Sequence, residues 1–420
     1  MPNNCFLPAD ILLPRVDDLS KWAVIACDQF TSQPEYWEGV RRFVGDAPSA
    51  LHLILPEAEL NGPREAELVA EAGRNMERYQ EQKLFQRCPN SFVYVERTLE
   101  NGAVRQGLVG MVDLEAYDYA PGSVSAIRAT EKTVVERIPP RMRVRRGASL
   151  ELPHILLLCD DAEKVLIEPV AERKDELEML YDFDLMEGGG HITGWLVDGE
   201  KAEAFETRLT AYSAGIGAKY EGLSGVPMVF AVGDGNHSLA TAKACYEELK
   251  AAHPGEDLSG HPARYALVEL ENIHAEAQVF APIHRLVTGT DPMALLDALR
   301  AEVCAEDGFP VEWYSGTEHG TVYLDRARSE LAVGVLQGFL DGYLQNHPGD
   351  TDYIHGDGDL RELAARQDAT GFLLPVMEKS QLFRGVIADG VLPRKTFSMG
   401  HAREKRYYLE ARCIRQEDME

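Results

Sequence analysis

One short run of residues near the middle of the chain combines groups that bind anions with groups that move protons. An apolar stretch begins at Val226, and helix-forming residues continue to Leu249. Between them lie two glycines spaced by one residue, which let a backbone turn sharply and approach a ligand closely. A helix that begins there exposes its first N–H groups and the positive end of its dipole, which together bind phosphate or carboxylate. The segment therefore predicts a strand, a tight turn and a helix that form an anion site.

The residue types in this turn suggest separate roles. Asp234 and His237 are catalytic candidates, because a carboxylate and an imidazole can move a proton. The phosphate-binding or nucleotide-binding candidates of the segment are Gly233, Gly235, Asn236, Ser238 and Lys243. The alternative is an ordinary strand–helix connection whose polar residues only form the turn. The turn lacks the third glycine of a dinucleotide fingerprint, and it lacks the Gly-Lys-Ser/Thr of a phosphate-binding loop.

A second chemistry-bearing segment is a cluster of arginines. Six fall within nineteen residues: Arg128, Arg137, Arg141, Arg143, Arg145 and Arg146. Guanidinium groups suit bidentate contacts to phosphate or carboxylate, so Arg128 is a candidate for phosphate binding. Glu131 lies beside it and is a third catalytic candidate, as a base. The alternative is a solvated basic face that offsets an acidic surface.

Polar residues elsewhere could complete the site. Lys395 and Thr396 form part of a predicted substrate loop and are candidates for phosphate contacts, the alternative being a turn before a final strand. We predict substrate contacts for Asp28 and Gln29, at the end of a predicted strand over Trp22–Asp28, where ligand groups sit in α/β sheets. His284 and Arg285 interrupt an apolar run and are two further substrate candidates. A buried structural histidine is the alternative there.

A glycine-rich stretch supplies the carboxylates for a possible metal site. Asp182, Asp184, Glu187 and His191 surround three glycines, and such a loop could hold Mg²⁺ through a few oxygens. The sequence does not determine the ligands of any metal.

Charge and cysteine content limit the classes of partner. Lys and Arg number 42 against 69 Asp and Glu, a formal net charge of −27. Such a surface repels phosphate backbones and anionic lipid, so we expect neither nucleic acid nor membrane as a partner. The seven cysteines are scattered without a C-x-x-C pair, and neither a leader nor a long apolar run is visible. We therefore expect a cytoplasmic protein.

The pattern of elements favours an α+β (mixed α/β) fold, because predicted strands and helices mix without strict alternation. Residues 92–99 and 104–113 predict a hairpin around Asn101-Gly102, 175–181 a helix, and 331–335 a strand. We predict two lobes, residues 1–220 with the arginine cluster and residues 221–420 beginning with the central motif. That motif is expected to line the cleft between them.

Taken together, these segments resemble a bacterial and archaeal family known as domain of unknown function number 1015. The matching pieces are CDQFTSQPEYWE, RATEKT with the arginines after it, GDGNHSLATAK, APIHRLV and VLPRKTFSMGHA. Much of that family carries Asp-Gly-His-His-Arg at the central position, which is similar to the phosphate-binding motif of the ParB/sulfiredoxin superfamily. Here the turn has Asn236 and Ser238 in place of the first His and the Arg. Lys243 or the arginine cluster therefore has to supply the missing charge.

The resemblance and the residues together lead to one main hypothesis. It is a nucleotide-dependent phosphotransferase that uses Mg²⁺ and ATP or ADP and acts on a small hydroxylated metabolite, with a free-serine-like substrate implied by the superfamily. A non-catalytic nucleotide or phosphometabolite sensor is the first alternative. A metal-dependent hydrolase that uses Asp182, Asp184, His191 and His237 is the second. A DNA-binding role conflicts with the net charge.

Overall fold

The described part of the chain has a mixed α+β architecture, which confirms the predicted fold class. A computed structural model describes residues 4–120, 122–152, 154–221, 223, 226–366 and 368–416. The strands are β1 (Phe6–Leu7), β2 (Ala9–Pro14), β3 (Phe85–Thr98), β4 (Val104–Asp113), β5 (Tyr117–Asp118), β6 (Ile127–Ala129), β7 (Leu150–Glu151), β8 (Leu156–Cys159), β9 (Glu178–Asp184), β10 (His191–Val197), β11 (Phe230–Asp234), β12 (Tyr265–Asn272), β13 (Phe280–Thr288), β14 (Cys304–Ser315), β15 (Glu318–Leu324), β16 (Asp350–His355), β17 (Ala369–Leu373), β18 (Phe397–Met399) and β19 (Arg412–Cys413). The helices are α1 (Leu19–Trp22), α2 (Pro34–Val44), α3 (Glu65–Glu81), α4 (Ile138–Arg146), α5 (Glu168–Ala171), α6 (Gly199–Lys219), α7 (Asn236–Ala252), α8 (Pro292–Val303), α9 (Ala332–Leu344), α10 (Asp357–Ala364) and α11 (Lys379–Asp389).

The larger sheet brings the central motif next to the arginine-rich segment. Its main path runs β5-β6-β11-β8-β12-β4-β3-β10-β9, with β1 on β4 and β2 on β3. The predicted hairpin is confirmed as β3 and β4, which pair antiparallel. Strands β6 and β11 are parallel, with Ala129 opposite Val232. Because the carboxyl ends of parallel strands share one edge of a sheet, Glu131 and Asp234 leave that edge side by side.

The smaller sheet forms the second lobe. Its order is β15-β14-β17-β13-β16, and β18 pairs with the first residues of β13. Helices α8, α9 and α11 supply Leu295, Leu336 and Phe383 to a core that also contains Leu158 and Ala231 of the larger sheet. The chain passes from one sheet to the other between β12 and β13. The predicted division at residues 220 and 221 stays a prediction, and residues 222, 224 and 225 beside it lie outside the described residues.

The end of the chain returns from the second lobe to the first. The Tyr408 N–H donates to the carbonyl of Val24 at 2.8 Å, and β19 pairs with β7. Buried ion pairs fasten this segment, since Arg406 contacts Glu269 at 2.7 Å and also pairs with Glu410. Residues 395–405 therefore cross from lobe to lobe between two fixed points.

Three predictions of local structure were wrong, each because tertiary contacts overrode a local pattern. Residues 178–184 form β9 at the sheet edge, paired with β10, although 175–181 predicted a helix. Residues 332–344 form α9, although 331–335 predicted a strand. The helix is buried on most of its surface, which accounts for its continuous apolar run. In the predicted strand Trp22–Asp28, helix α1 ends at Trp22 and Ile25 makes only an isolated bridge to Tyr407.

None of the helices in the described part of the chain combines the length and the apolar character needed to cross a bilayer.

Candidate functional site

A cleft of about 1400 Å³ opens between the two lobes. Both lobes and the crossing segment 395–405 contribute to its walls. Ten of the residues predicted from the sequence line it: Asp28, Gln29, Glu131, Gly233, Asp234, Gly235, Asn236, His237, Ser238 and Lys395. The structure thus brings the central turn, part of the arginine-rich segment and the C-terminal loop to one place.

The turn after β11 has room for glycine alone. Gly235 has φ +77°, and a Cβ there would lie 2.9 Å from the Cα of Ile155. A Cβ on Gly233 would lie 2.7 Å from Cδ1 of Leu158. The backbone therefore turns against β8 as closely as atoms allow, and the predicted strand, tight turn and helix are confirmed as β11 and α7.

Helix α7 begins with backbone donors that face the cleft. Its first internal hydrogen bond runs from Leu239 N–H to the Gly235 carbonyl, at 3.0 Å. The N–H groups of Asn236, His237 and Ser238 have no partner within the described residues, and no side chain caps the helix. The side-chain Oδ1 of Asn236 is buried and also lacks a partner there. Free N–H groups at a helix start carry the positive end of the helix dipole, so this end of the cleft suits an anion.

Asp234 is held as a carboxylate by a lysine from the C-terminal segment. Its Oδ2 lies 3.0 Å from Nζ of Lys405, and its Oδ1 accepts from the Gly235 N–H at 2.9 Å. Burial raises the pKa of Asp234, but the Lys405 ammonium and the nearby His154 outweigh it and hold that pKa below its ordinary value. Asp234 is therefore ionised and paired, and it is a weak proton acceptor.

Glu131 has the opposite tendency, although it lies beside Asp234. Burial raises its pKa, and the charge of Asp234 adds to this, whereas Lys395 acts against it. Its Oε1 accepts from the Lys395 N–H at 3.1 Å. Of the two carboxylates at this sheet edge, Glu131 has the greater affinity for a proton.

His237 is neutral at ordinary pH. Burial lowers its pKa, with Arg141 and Arg137 adding to the effect, to about 4. Its Nε2 lies 3.3 Å from the Val134 N–H and accepts from it. Because Nε2 is the acceptor, Nδ1 carries the proton and can donate one hydrogen bond to a ligand.

A buried histidine that the sequence analysis missed joins three parts of the cleft. Nε2 of His154 lies 3.5 Å from Oδ1 of Asp28 and 3.5 Å from Oγ of Ser238. Its Nδ1 lies 2.9 Å from the hydroxyl of Tyr408. Asp28 in turn accepts from Gln29 at 3.1 Å. The available sequence signal was a lone histidine just before a strand, which is too common to identify a site.

Arg97, also missed, fixes the segment that carries Lys405. Its guanidinium donates to the carbonyls of Gly189 at 2.8 Å, Arg403 at 2.6 Å, Glu404 at 3.0 Å and Lys405 at 2.5 Å. No carboxylate pairs with it in the described part of the chain, and burial lowers its pKa to about 9. A buried cation satisfied by carbonyls alone fixes the path of the backbone that passes it.

The arginine cluster divides between the cleft and the surface. Arg137 and Arg141 line the cleft, and Arg141 pairs there with Glu57. The others bind carboxylates elsewhere, at 2.7 to 2.8 Å: Arg143 to Glu65, Arg145 to Glu151 and Arg146 to Glu248. Arg128 does not line the cleft. It donates to the carbonyls of Ser125 at 2.9 Å and Val226 at 2.5 Å, and so ties two loops together.

Four other predicted site residues also lie outside the cleft lining. Lys243 lies 2.7 Å from Glu247 and 3.7 Å from Glu115. His284 is buried, with Nε2 3.0 Å from Asp357. Thr396 is buried and donates to the Pro393 carbonyl at 2.5 Å.

Arg285, the fourth, is fully buried and supports the cleft from behind. It donates to Gln337 at 2.6 Å and to the carbonyl of Lys395 at 3.0 Å. Its contact is thus with the backbone of a cleft residue, and its guanidinium is already satisfied by protein groups.

The residues proposed for a metal-dependent hydrolase are not brought together. His191 lies between Asp184 at 2.8 Å and Asp182 at 2.7 Å on β9 and β10, whereas His237 lines the cleft. No group of three or more His, Cys, Asp or Glu that could hold a metal occurs among the described residues. The cleft does offer single carboxylates, and Asp28 is one of those that no lysine or arginine pairs with in the described chain, its Oδ1 lying 3.5 Å from His154. A single carboxylate would be enough for Mg²⁺ that arrives bound to phosphates, because such an ion takes only one or two carboxylate ligands from the protein.

A mixed α+β protein with an anion-suited cleft between two lobes is the class that these observations define. The chain belongs to the family described as "Protein of unknown function (DUF1015)", which matches residues 9–411. The resemblance noted in the sequence is thereby confirmed.

Solved structures show only a distant likeness. A mutant free serine kinase in complex with ADP has a TM-score of 0.38 and 10% identity, covering 74% of this chain and 93% of that one. A conserved hypothetical protein from Pyrococcus furiosus has a TM-score of 0.33 and 11% identity, covering 74% and 96%. SbnI with a C-terminal truncation, from Staphylococcus aureus, has 0.35 and 11%, covering 73% and 85%. A search of curated proteins gave no match.

Proposed function

We propose that the protein is a nucleotide-dependent phosphotransferase that acts on a small hydroxylated metabolite. One observation carries the proposal. The unpartnered N–H groups at the start of α7 share a cleft with Arg137 and with a carboxylate, Glu131, whose pKa is raised. Phosphoryl transfer needs a cradle for phosphate charge and a group to take the proton of the attacking hydroxyl, and little else from the protein.

The phosphates of the donor would lie at the α7 end of the cleft. Three backbone N–H groups, the Nδ1–H of His237 and the guanidinium of Arg137 are the donors there. Arg137 makes no ion pair within the described residues, so its charge is available to a ligand. This supplies the charge that the turn lost with the arginine of the family motif. Mg²⁺ bound to these phosphates would neutralise further charge, with Asp28 as its protein ligand.

Glu131 is the better of the two candidate bases. The acceptor oxygen attacks the terminal phosphorus, the bond to the bridging oxygen breaks, and the shortened nucleotide leaves with those electrons. The hydroxyl proton passes to a carboxylate oxygen of Glu131, whose raised pKa favours taking it. Asp234 is occupied by Lys405 and has a lowered pKa, so its part is to hold Lys405 and the turn in place.

The test is nucleotide consumption by the full chain with Mg²⁺, ATP or ADP, and a panel of hydroxylated metabolites. Free serine belongs in the panel because of the superfamily resemblance. We expect turnover with at least one acceptor, and a loss of about 100-fold in kcat for Glu131→Gln. Binding of nucleotide to that variant should be unchanged. A protein that binds nucleotide but consumes none with any acceptor would be a sensor, and the proposal would then fail.

A further inference from the structure

A second group of basic side chains in the cleft comes from β16 and the crossing segment 395–405, and we call it the Lys395 end. Its members are Lys395, His355 and His401, whereas Lys405 of the same segment lies 3.0 Å from Asp234 and so beside the α7 turn. Among the described residues no carboxylate lies within ion-pairing distance of the first three, although the chain has 69 acidic residues against 42 Lys and Arg. The nearest acid of this segment, Glu404, uses its Oε2 to accept from the His401 N–H at 2.6 Å.

The charged groups follow an order along the cleft. Arg137, Arg141 and Asp28 act on His237, at the α7 end. Glu131 leaves the sheet edge beside Asp234 and accepts from the Lys395 N–H at 3.1 Å, so it lies between the α7 turn and Lys395. At the Lys395 end burial lowers the pKa of His355, and Lys395 and His401 lower it further, so this ring acts as a neutral hydrogen-bonding group. The candidate base therefore lies between the arginines near His237 and the Lys395 ammonium with its neighbouring imidazoles.

The backbone of Lys395 is fixed from both lobes. Its φ is +58°, a conformation that costs a residue with a side chain about 1 kcal/mol or more. Its N–H donates to Glu131 of the first lobe, and its carbonyl accepts from Arg285 of the second. Two residues further on, Phe397 of β18 pairs with Pro282 of β13, and the next residue of β13, Ile283, pairs with His355. Lys395 is thus held in a strained conformation by hydrogen bonds from both lobes, and this fixes its backbone beside the candidate base.

We propose that the acceptor carries an anionic group, a carboxylate or a phosphate, besides its hydroxyl, and that Lys395, His355 and His401 bind this group. The inference rests on the proposed function and names its substrate class. An acceptor held there by its anion presents a neighbouring hydroxyl to Glu131, with the donor phosphates on the other side. Arranging both substrates about one base is the positioning that phosphoryl transfer requires.

The same three side chains could instead hold a phosphate of the nucleotide, so the kinetic test distinguishes an anion of the acceptor from a phosphate of the nucleotide. The variant is Lys395→Met with His355→Gln, and its matched control is Lys164→Met with His319→Gln. Lys164 is exposed and has φ +55°, like Lys395, and neither control residue lines the cleft. The acceptors are a hydroxy acid that the wild type uses and the amide of that acid.

In the wild type we expect kcat/KM for the acid to exceed that for the amide by about 100-fold, and in the variant by less than about tenfold. The KM for nucleotide should stay within about twofold in both variants. Equal use of acid and amide by the wild type overturns the inference. A variant that raises the KM for nucleotide but not for the acceptor overturns it too.

If the wild type consumes no nucleotide at all, the proposed function fails, and a binding measurement still decides the anion site. Inorganic phosphate is titrated calorimetrically into the full chain and both variants. We expect two sites in the wild type and the control, one at α7 and one at Lys395, and a single site in the variant. One site in all three proteins, or two in all three, contradicts the inference.

Discussion

The two ends of the cleft are built in different ways. At the α7 end, nine consecutive residues from Phe230 to Ser238 supply the strand, the turn and the donors. At the Lys395 end, the groups come from β16 and the crossing segment, and they are held by Arg285, 110 residues away, and Arg97, 308 residues from Lys405. The first end depends on local steric fit, whereas the second depends on buried hydrogen bonds between distant parts of the chain. Substitutions at the α7 end should therefore destabilise the fold through steric overlap, and those at the Lys395 end through lost buried hydrogen bonds.

The largest effect should come from Gly235→Ala at the α7 end. The alanine would have to keep the left-handed backbone conformation, and its Cβ would lie 2.9 Å from the Cα of Ile155. We expect a loss of about 3 kcal/mol in the free energy of unfolding, from strain and overpacking together. Nucleotide binding should be lost as the helix start shifts. Urea unfolding and calorimetry measure both.

Gly102→Ala is the control for this substitution. Gly102 has φ +82°, and nothing lies within 4 Å of its Cβ position. It should cost about 1 kcal/mol, the strain alone. Equal losses of unfolding free energy for the two variants would mean that the close approach of Gly235 to Ile155 is unimportant.

At the Lys395 end, Arg97→Lys should have the next largest effect. A lysine cannot donate to four carbonyls in a plane, so several buried acceptors lose their partners. We expect a loss of about 2 kcal/mol in unfolding free energy. Because Lys405 is then less well placed, the pKa of Asp234 should rise, which NMR titration of its carboxyl group can follow. Arg64→Lys, on an exposed helix start, is the control and should change neither quantity. If the pKa of Asp234 were unchanged in Arg97→Lys, Arg97 would not be the group that positions Lys405.

The same contrast explains what the sequence could predict. The turn at Gly233 and Gly235 was predictable because glycine spacing and a following helix are local signals. The hairpin of β3 and β4 was predictable for the same reason. Arg97, His154 and His355 were not, because their importance comes from partners that are distant in the sequence. The predicted helix at 175–181 failed because pairing with β10 decided the structure there. Lys243 was predicted from its place in the helix after the turn and Arg128 from its place in the arginine cluster, and the fold directs both away from the cleft.

A smaller effect concerns pH and His237. Its folded pKa of about 4 lies below the ordinary value of 6.5, so the unfolded chain takes up a proton first as pH falls. The stability contributed by the neutral ring is complete above about pH 6.5 and is lost progressively down to about pH 4. We expect this term to be on the order of 2 kcal/mol after allowance for partial exposure. His237→Gln should show a correspondingly flatter dependence of unfolding free energy on pH. Parallel curves for wild type and variant would contradict the assignment.

The smallest effect is expected for Lys243→Met, and it tests whether closeness in sequence to the turn is enough to make a phosphate ligand. Lys243 lies in the same helix as the free N–H groups, but its ammonium contacts Glu247 and does not line the cleft. Its removal should leave the KM for nucleotide within about twofold and change stability by less than about 0.5 kcal/mol. Arg137→Met removes an exposed cation from the cleft itself and should raise that KM by about tenfold. If Lys243→Met raised the KM as much as Arg137→Met, the phosphates would have to extend along α7 to Lys243. The assignment of the phosphates to the start of α7 and Arg137 would then be wrong.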